Sequence, residues 1–117
     1  MNTRHSLFAL VAIIPTLAIA QANTPRVDQR QQNQEQRIEQ GVASGTLTNR
    51  EANRLEHGQQ RVDNVEARAK ADGVVTRQER VRLHQAQDVQ SRRIYAQKHD
   101  RQHDYNHNGR IDRPARR

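Results

Sequence analysis

After residue 20 the chain has almost nothing large and apolar to bury. This shortage limits what it can fold into more than any motif does. Residues 21–117 hold 14 Val, Ile or Leu and no Phe, Trp or Met, and their aromatic residues are Tyr95 and Tyr105. A thick core cannot be built from so little, and the composition lies close to that of disordered chains. An enzyme with an enclosed pocket is not expected, because such pockets are walled by apolar and aromatic groups. What remains open is a set of helices with narrow apolar seams, and 117 residues allow one small domain.

The first 20 residues are of a different kind. Arg4 precedes an uncharged run, Leu7–Ala20, that ends in Ala18-Ile19-Ala20, with Ala20-Gln21-Ala22 as a second small-x-small site. A basic start, a short apolar run and small residues before the cut predict a secretory signal peptide over 1–20. The run is shorter than the roughly 20 residues of a membrane span, and Pro15 interrupts it. The mature chain is expected to begin at Gln21 or Asn23, to be periplasmic or secreted, and to carry no membrane-spanning segment. There is no Cys, so no disulfide can staple it.

Export changes the meaning of the formal charge of +7. Residues 21–76 are balanced, with eight basic and eight acidic side chains, whereas 77–117 carry eleven basic and five acidic ones. Outside the cytoplasm such an excess points to an anionic envelope polymer or a protein partner rather than to cytoplasmic nucleic acid.

An internal repeat recurs at an offset of 28. Gly45-Thr46-Leu47-Thr48-Asn49-Arg50-Glu51 aligns with Gly73-Val74-Val75-Thr76-Arg77-Gln78-Glu79, and the match extends to Arg54/Arg82, Leu55/Leu83 and Gln59/Gln87. In each unit the glycine closes one helix and a threonine caps the next. Thr48 with Glu51, and Thr76 with Glu79, form capping boxes. The repeat therefore predicts helices over about 25–43, 49–71 and 77–102. Their apolar positions would be Val27, Ile38 and Val42 in the first, and Leu55, Val62, Val65 and Ala69 in the second. The third would use Val81, Leu83, Ala86, Val89 and Ile94. The expected fold is all-α: an elongated up-down-up three-helix domain over 21–103 with two helix-turn-helix repeats, then a flexible basic tail over 104–117. A break at Gly58 would instead bring the two turns side by side. Such thin stripes also make a homo-oligomer plausible, since pairing would bury what one chain leaves exposed.

The pattern Gly-x-[Leu/Val]-Thr-x-x-Glu resembles the second half of an EF-hand calcium loop. Gly45, Leu47, Thr48 and Glu51 match that half, as do Gly73, Val75, Thr76 and Glu79. The first halves depart from it: Gln40, Val42 and Ser44 in one unit, Arg68, Lys70 and Asp72 in the other. Helix capping is the better account of both. The C-terminal segment Asp104-Tyr105-Asn106-His107-Asn108-Gly109-Arg110-Ile111-Asp112 resembles the D-x-N-x-N-G-x-I-D core of EF-hand and dockerin-type loops. The resemblance implies weak Ca²⁺ binding by Asp104, Asn106, Asn108 and Asp112 with the backbone carbonyl of Arg110. Position twelve is Ala115 instead of the usual glutamate.

A competing metal set overlaps this segment. If the third helix continues, His99 and His103 lie one turn apart and suit Zn²⁺, Cu²⁺ or Ni²⁺. His57 and His84 are isolated and read as surface residues. No catalytic set emerges, so the expectation is a non-enzymatic binding protein. The alternatives are a periplasmic transition-metal buffer and a chaperone-like stress protein.

Overall fold

The structure is a computed structural model that describes residues 23–112; the expected signal peptide and the chain's last five residues lie outside them. Three helices follow in order: α1 (Pro25–Ser44), α2 (Asn49–Lys70) and α3 (Arg77–Lys98). At 1.5 Å per residue, the 22 residues of α2 or of α3 reach about 33 Å. Each helix packs against both others. The contacts fix an up-down-up course: Thr24 and Asp28 of the α1 end meet Glu66 and Lys70 of α2, while Val27 and Gln34 of α1 meet Gln87 of α3.

Local chemistry sets the helix ends. Pro25 occupies the first turn of α1, where its missing N–H costs nothing. Gly45 closes α1 at φ +75, and its N–H donates to Val42 O at 3.1 Å. Thr48 and Thr76 cap α2 and α3, and both capping boxes are complete. The third helix stops at Lys98, four residues before the expected end. His99 leaves helical geometry, and Asp100 turns its carboxylate onto the N–H of Gln102 at 2.7 Å. That side-chain bond offers the backbone an alternative to the next helical turn.

The core has three layers. Near the α1–α2 turn, Ile38, Leu47, Ala52, Leu55 and Ile94 form one apolar cluster, with Val42 against it. Toward the other end, Val27, Val62 and Leu83 form a second, flanked by Val65 and Ala86. Between them lie glutamines. Gln34 donates to Gln87 O (2.9 Å) and Ser91 Oγ (2.7 Å), Gln87 to Val27 O (3.0 Å), and Gln90 to Leu55 O (2.7 Å). Gln59 reaches Gln31 O at 3.4 Å. Each bond joins two helices.

This corrects the expected seam of α3. Val81 and Val89 are 48% and 41% exposed, whereas Gln87 and Gln90 are buried. The inward face is Leu83, Gln87, Gln90 and Ile94, at helical spacing. Helix α2 runs unbroken through Gly58, and the space a side chain would take there is filled. A Cβ at Gly58 would lie 2.1 Å from Gln90 Oε1.

Gly58→Ala should therefore lose stability, although alanine is the better helix former by about 1 kcal/mol. The methyl must drive the Gln90 amide off Leu55 O, for a net loss of roughly 1–2 kcal/mol in urea unfolding. In a Gln90→Ala background the same change should become stabilising; loss in both backgrounds would rule out the steric account.

Candidate functional site

The end of the bundle that carries the α1–α2 turn also receives residues 99–112. Of the expected tail, 104–117, residues 104–112 are described and lie against that end. Asp104 is buried, and its N–H donates to Gly45 O at 2.8 Å. From there the chain curls through His107 at φ +54 and Gly109 at φ +77.

Four of the five sequence-predicted cation ligands are tied into this curl by their side chains. Asp104 accepts from the N–H of Asn108 (Oδ1, 3.0 Å) and of Gly109 (Oδ2, 2.9 Å). Asn106 Oδ1 accepts from Asn108 N–H at 3.0 Å, and Asn108 Oδ1 from Arg110 N–H at 2.8 Å. Asp112 closes the loop: Oδ2 accepts from Tyr105 N–H, Oδ1 from the Asn106 amide, and its own N–H donates to His103 O, each at 2.7 Å. Oxygen side chains at alternate positions thus gather around one turn. The Arg110 side chain is exposed. Position twelve, Ala115, lies outside the described residues.

The histidines do not form the expected pair. His99 and His103 both follow the end of α3, so they do not share a helix face. His99 stacks on Tyr95 with centroids 4.0 Å apart, and its Nδ1 lies 2.7 Å from Tyr95 O. His103 stacks on Tyr105 at 4.8 Å. Among the described residues no group of three or more His, Cys, Asp or Glu side chains could hold a metal ion. A loop of two carboxylates and two amides is of another composition. His57 and His84 are exposed, as expected.

The two capping boxes share geometry but not surroundings. Glu51 and Glu79 each accept the N–H and hydroxyl of their threonine at 2.8–2.9 Å. Glu51, however, is 1% exposed, and its Oε1 has no hydrogen-bond partner among the described residues. Burial raises its pKa above the ordinary 4.5; the bonds from Thr48 oppose this, and the Asp100 carboxyl group against it raises it further. Nothing in the sequence marks Asp100 as this neighbour, because the two residues are joined only by the folded chain. Thr48, Glu51 and Gln102, with Arg50, Arg54 and Arg110, line a cleft of about 700 Å³ between the start of α2 and the loop.

No protein-family model, curated protein or solved structure matches the chain.

A carboxyl whose pKa is raised by folding holds a proton that the unfolded chain releases. Glu51 should therefore make stability fall as pH rises from 4.5 through its raised folded value. Urea midpoints measured between pH 4 and 8 should show a decline in the wild type that is smaller in Glu51→Gln. Parallel curves would mean that Glu51 titrates normally.

Proposed function

We propose that this is an exported, non-catalytic binding protein. Its 104–112 loop takes a divalent cation, and its basic C-terminal part meets an anionic envelope component or protein partner. The observation that carries the reading is the closure of the loop by Asp104, Asn106, Asn108 and Asp112. Hard oxygen donors at alternate positions of a curled segment suit Ca²⁺. Two carboxylates and a missing twelfth-position glutamate make the site weak, on the order of 10⁻⁴–10⁻³ M, the range of extracellular modules.

The anionic partner is supported by the charge of 77–117 and by the arginines beside the α2 start. Arg50, Arg54 and Arg110 line one cleft, at a helix start, whose dipole also favours negative charge. Export is supported by the sequence of residues 1–20 alone. Among the described residues no helix is long and apolar enough to cross a membrane.

Calorimetric titration of the mature chain tests the cation reading. Saturating Ca²⁺ heat is expected in the submillimolar to millimolar range. It should vanish in Asp104→Ala and persist in a His99→Ala/His103→Ala variant. Zn²⁺ or Cu²⁺ heat lost only with the histidines would favour transition-metal buffering instead. Silence for every ion, with aggregation of a client protein suppressed, would favour the chaperone reading.

A further inference from the structure

The two repeat turns differ in what covers them. Gly45 and Gly73 are repeat equivalents, and both are left-handed, at φ +75 and +83, although Gly45 is the C-cap of α1 whereas α2 is capped by Ala71, two residues before Gly73. Around the point where a Cβ of Gly73 would sit there is nothing within 4 Å. The same point at Gly45 lies 2.6 Å from both Asp104 O and Tyr105 Cα, and 2.9 Å from the Asp104 carbonyl carbon. These are backbone atoms, which cannot swing aside as a side-chain tip can. A left-handed turn explains both glycines, but it does not explain why one of them has another chain segment seated on it.

The seated segment begins with the loop's first ligand. Gly45 O accepts the N–H of Asp104, and the Asp104 carboxylate accepts the N–H groups of Asn108 and Gly109. Fixing the Asp104 backbone therefore fixes the residue around which the loop turns. In an EF-hand-like loop that closure is helped by the twelfth-position glutamate, which Ala115 cannot supply.

We propose that the α1–α2 turn, through Gly45, is the template on which residues 104–112 take their looped shape, so that cation binding by the loop is coupled to docking on Gly45. Gly45 is a positioning residue: it touches no ion but places the first ligand. The coupling is reciprocal, so a bound cation tightens docking by the same factor that docking favours the cation. This rests on the loop being a cation site, and the experiment keeps the two statements apart.

Gly45→Ala and Gly73→Ala, each in the full mature chain, are a matched pair. Both place a methyl group at positive φ, so the backbone cost of the left-handed conformation is alike. Only Gly45→Ala must displace the loop. Gly73→Ala should bind Ca²⁺ as the wild type does. Gly45→Ala should bind it roughly 10–100-fold more weakly, the usual effect of losing a group that orients a ligand. Amide exchange at Asp104, Asn108 and Gly109 should speed up in that variant alone. Equal Ca²⁺ affinity in the two variants overturns the proposal while leaving the cation site intact.

A wild type that takes up no Ca²⁺ would sink the functional reading. Templating is then still confirmed if Asp104 amide protection survives Gly73→Ala and is lost in Gly45→Ala, and overturned if the wild type shows no protection there. Should Gly45→Ala lose its helical circular dichroism, the wild type decides. Added Ca²⁺ should raise protection at Asp104 together with Asn108 and Gly109; a rise at the latter two alone overturns the coupling.

Discussion

The bundle depends on side-chain amides that cross between helices. Two small apolar clusters cannot set the relative position of three helices, because apolar contacts are non-directional and tolerate sliding. Gln34, Gln87 and Gln90, and at longer range Gln59, each donate to a backbone carbonyl of a neighbouring helix. A helical carbonyl keeps a second lone pair after its own helical bond, so it can accept this extra donor. Each bond contributes only about 1 kcal/mol net, but a buried amide left without it costs about 1–3 kcal/mol. The layer thus adds little stability and strongly disfavours any other register. That register carries the site, because it sets the α1–α2 turn beside the chain that leaves α3.

The repeat explains how so sparse a sequence places these amides. Leu55 and Leu83 are aligned and both lie in the core, one in each cluster. Gln59 and Gln87 are aligned too, and both donate to carbonyls of α1, at Gln31 and Val27. The two repeat helices thus address α1 with the same side chain. Where the units diverge is at their turns. Nothing lies within 4 Å of where a Cβ of Gly73 would sit and Glu79 is half-buried, whereas Gly45 and Glu51 are covered by residues 100–105. One copy of the unit is covered by the C-terminal segment, and the other is not.

Whatever depends on neighbours within a turn was legible in the sequence. The caps Thr48, Glu51, Thr76 and Glu79 stand as expected. The ends of α1 and α2 fall within one residue of the reading. The core of α3 was misread because Val81 and Val89 rank as apolar and Gln87 and Gln90 as polar. A glutamine, however, has an apolar stem, and its amide becomes a favourable occupant once a carbonyl lies opposite. The spacing of Leu83, Gln87, Gln90 and Ile94 held that information, but hydropathy concealed it. The alternating oxygen side chains of 104–112 were legible as a pattern. The seat of the loop on Gly45 and the meeting of Glu51 with Asp100 were not, since both join segments remote in sequence.

The two ends of the bundle treat a buried carboxylate in opposite ways, and this sets the loop end apart. At the far end Glu66 is buried, which alone would raise its pKa. Hydrogen bonds from Lys70 and Thr24 and the charge of Lys70, whose ammonium is 2.5 Å away, outweigh burial and lower it. Asp28 adds a second carboxylate 3.8 Å from the same lysine. That end supplies Glu66 with a counter-charge of its own, although burial and the charge of Glu66 raise the pKa of the neighbouring Asp63. At the loop end Glu51 has only neutral donors from Thr48 and a second carboxyl group, Asp100, against it. Asp104 and Asp112 gather nearby within the loop. The arginines there line a cleft rather than pairing with Glu51. Burial without a paired counter-charge raises the pKa of Glu51, and burial with one leaves that of Glu66 lowered. The glutamine layer, by fixing the register of the three helices, keeps the parts of the loop end in place.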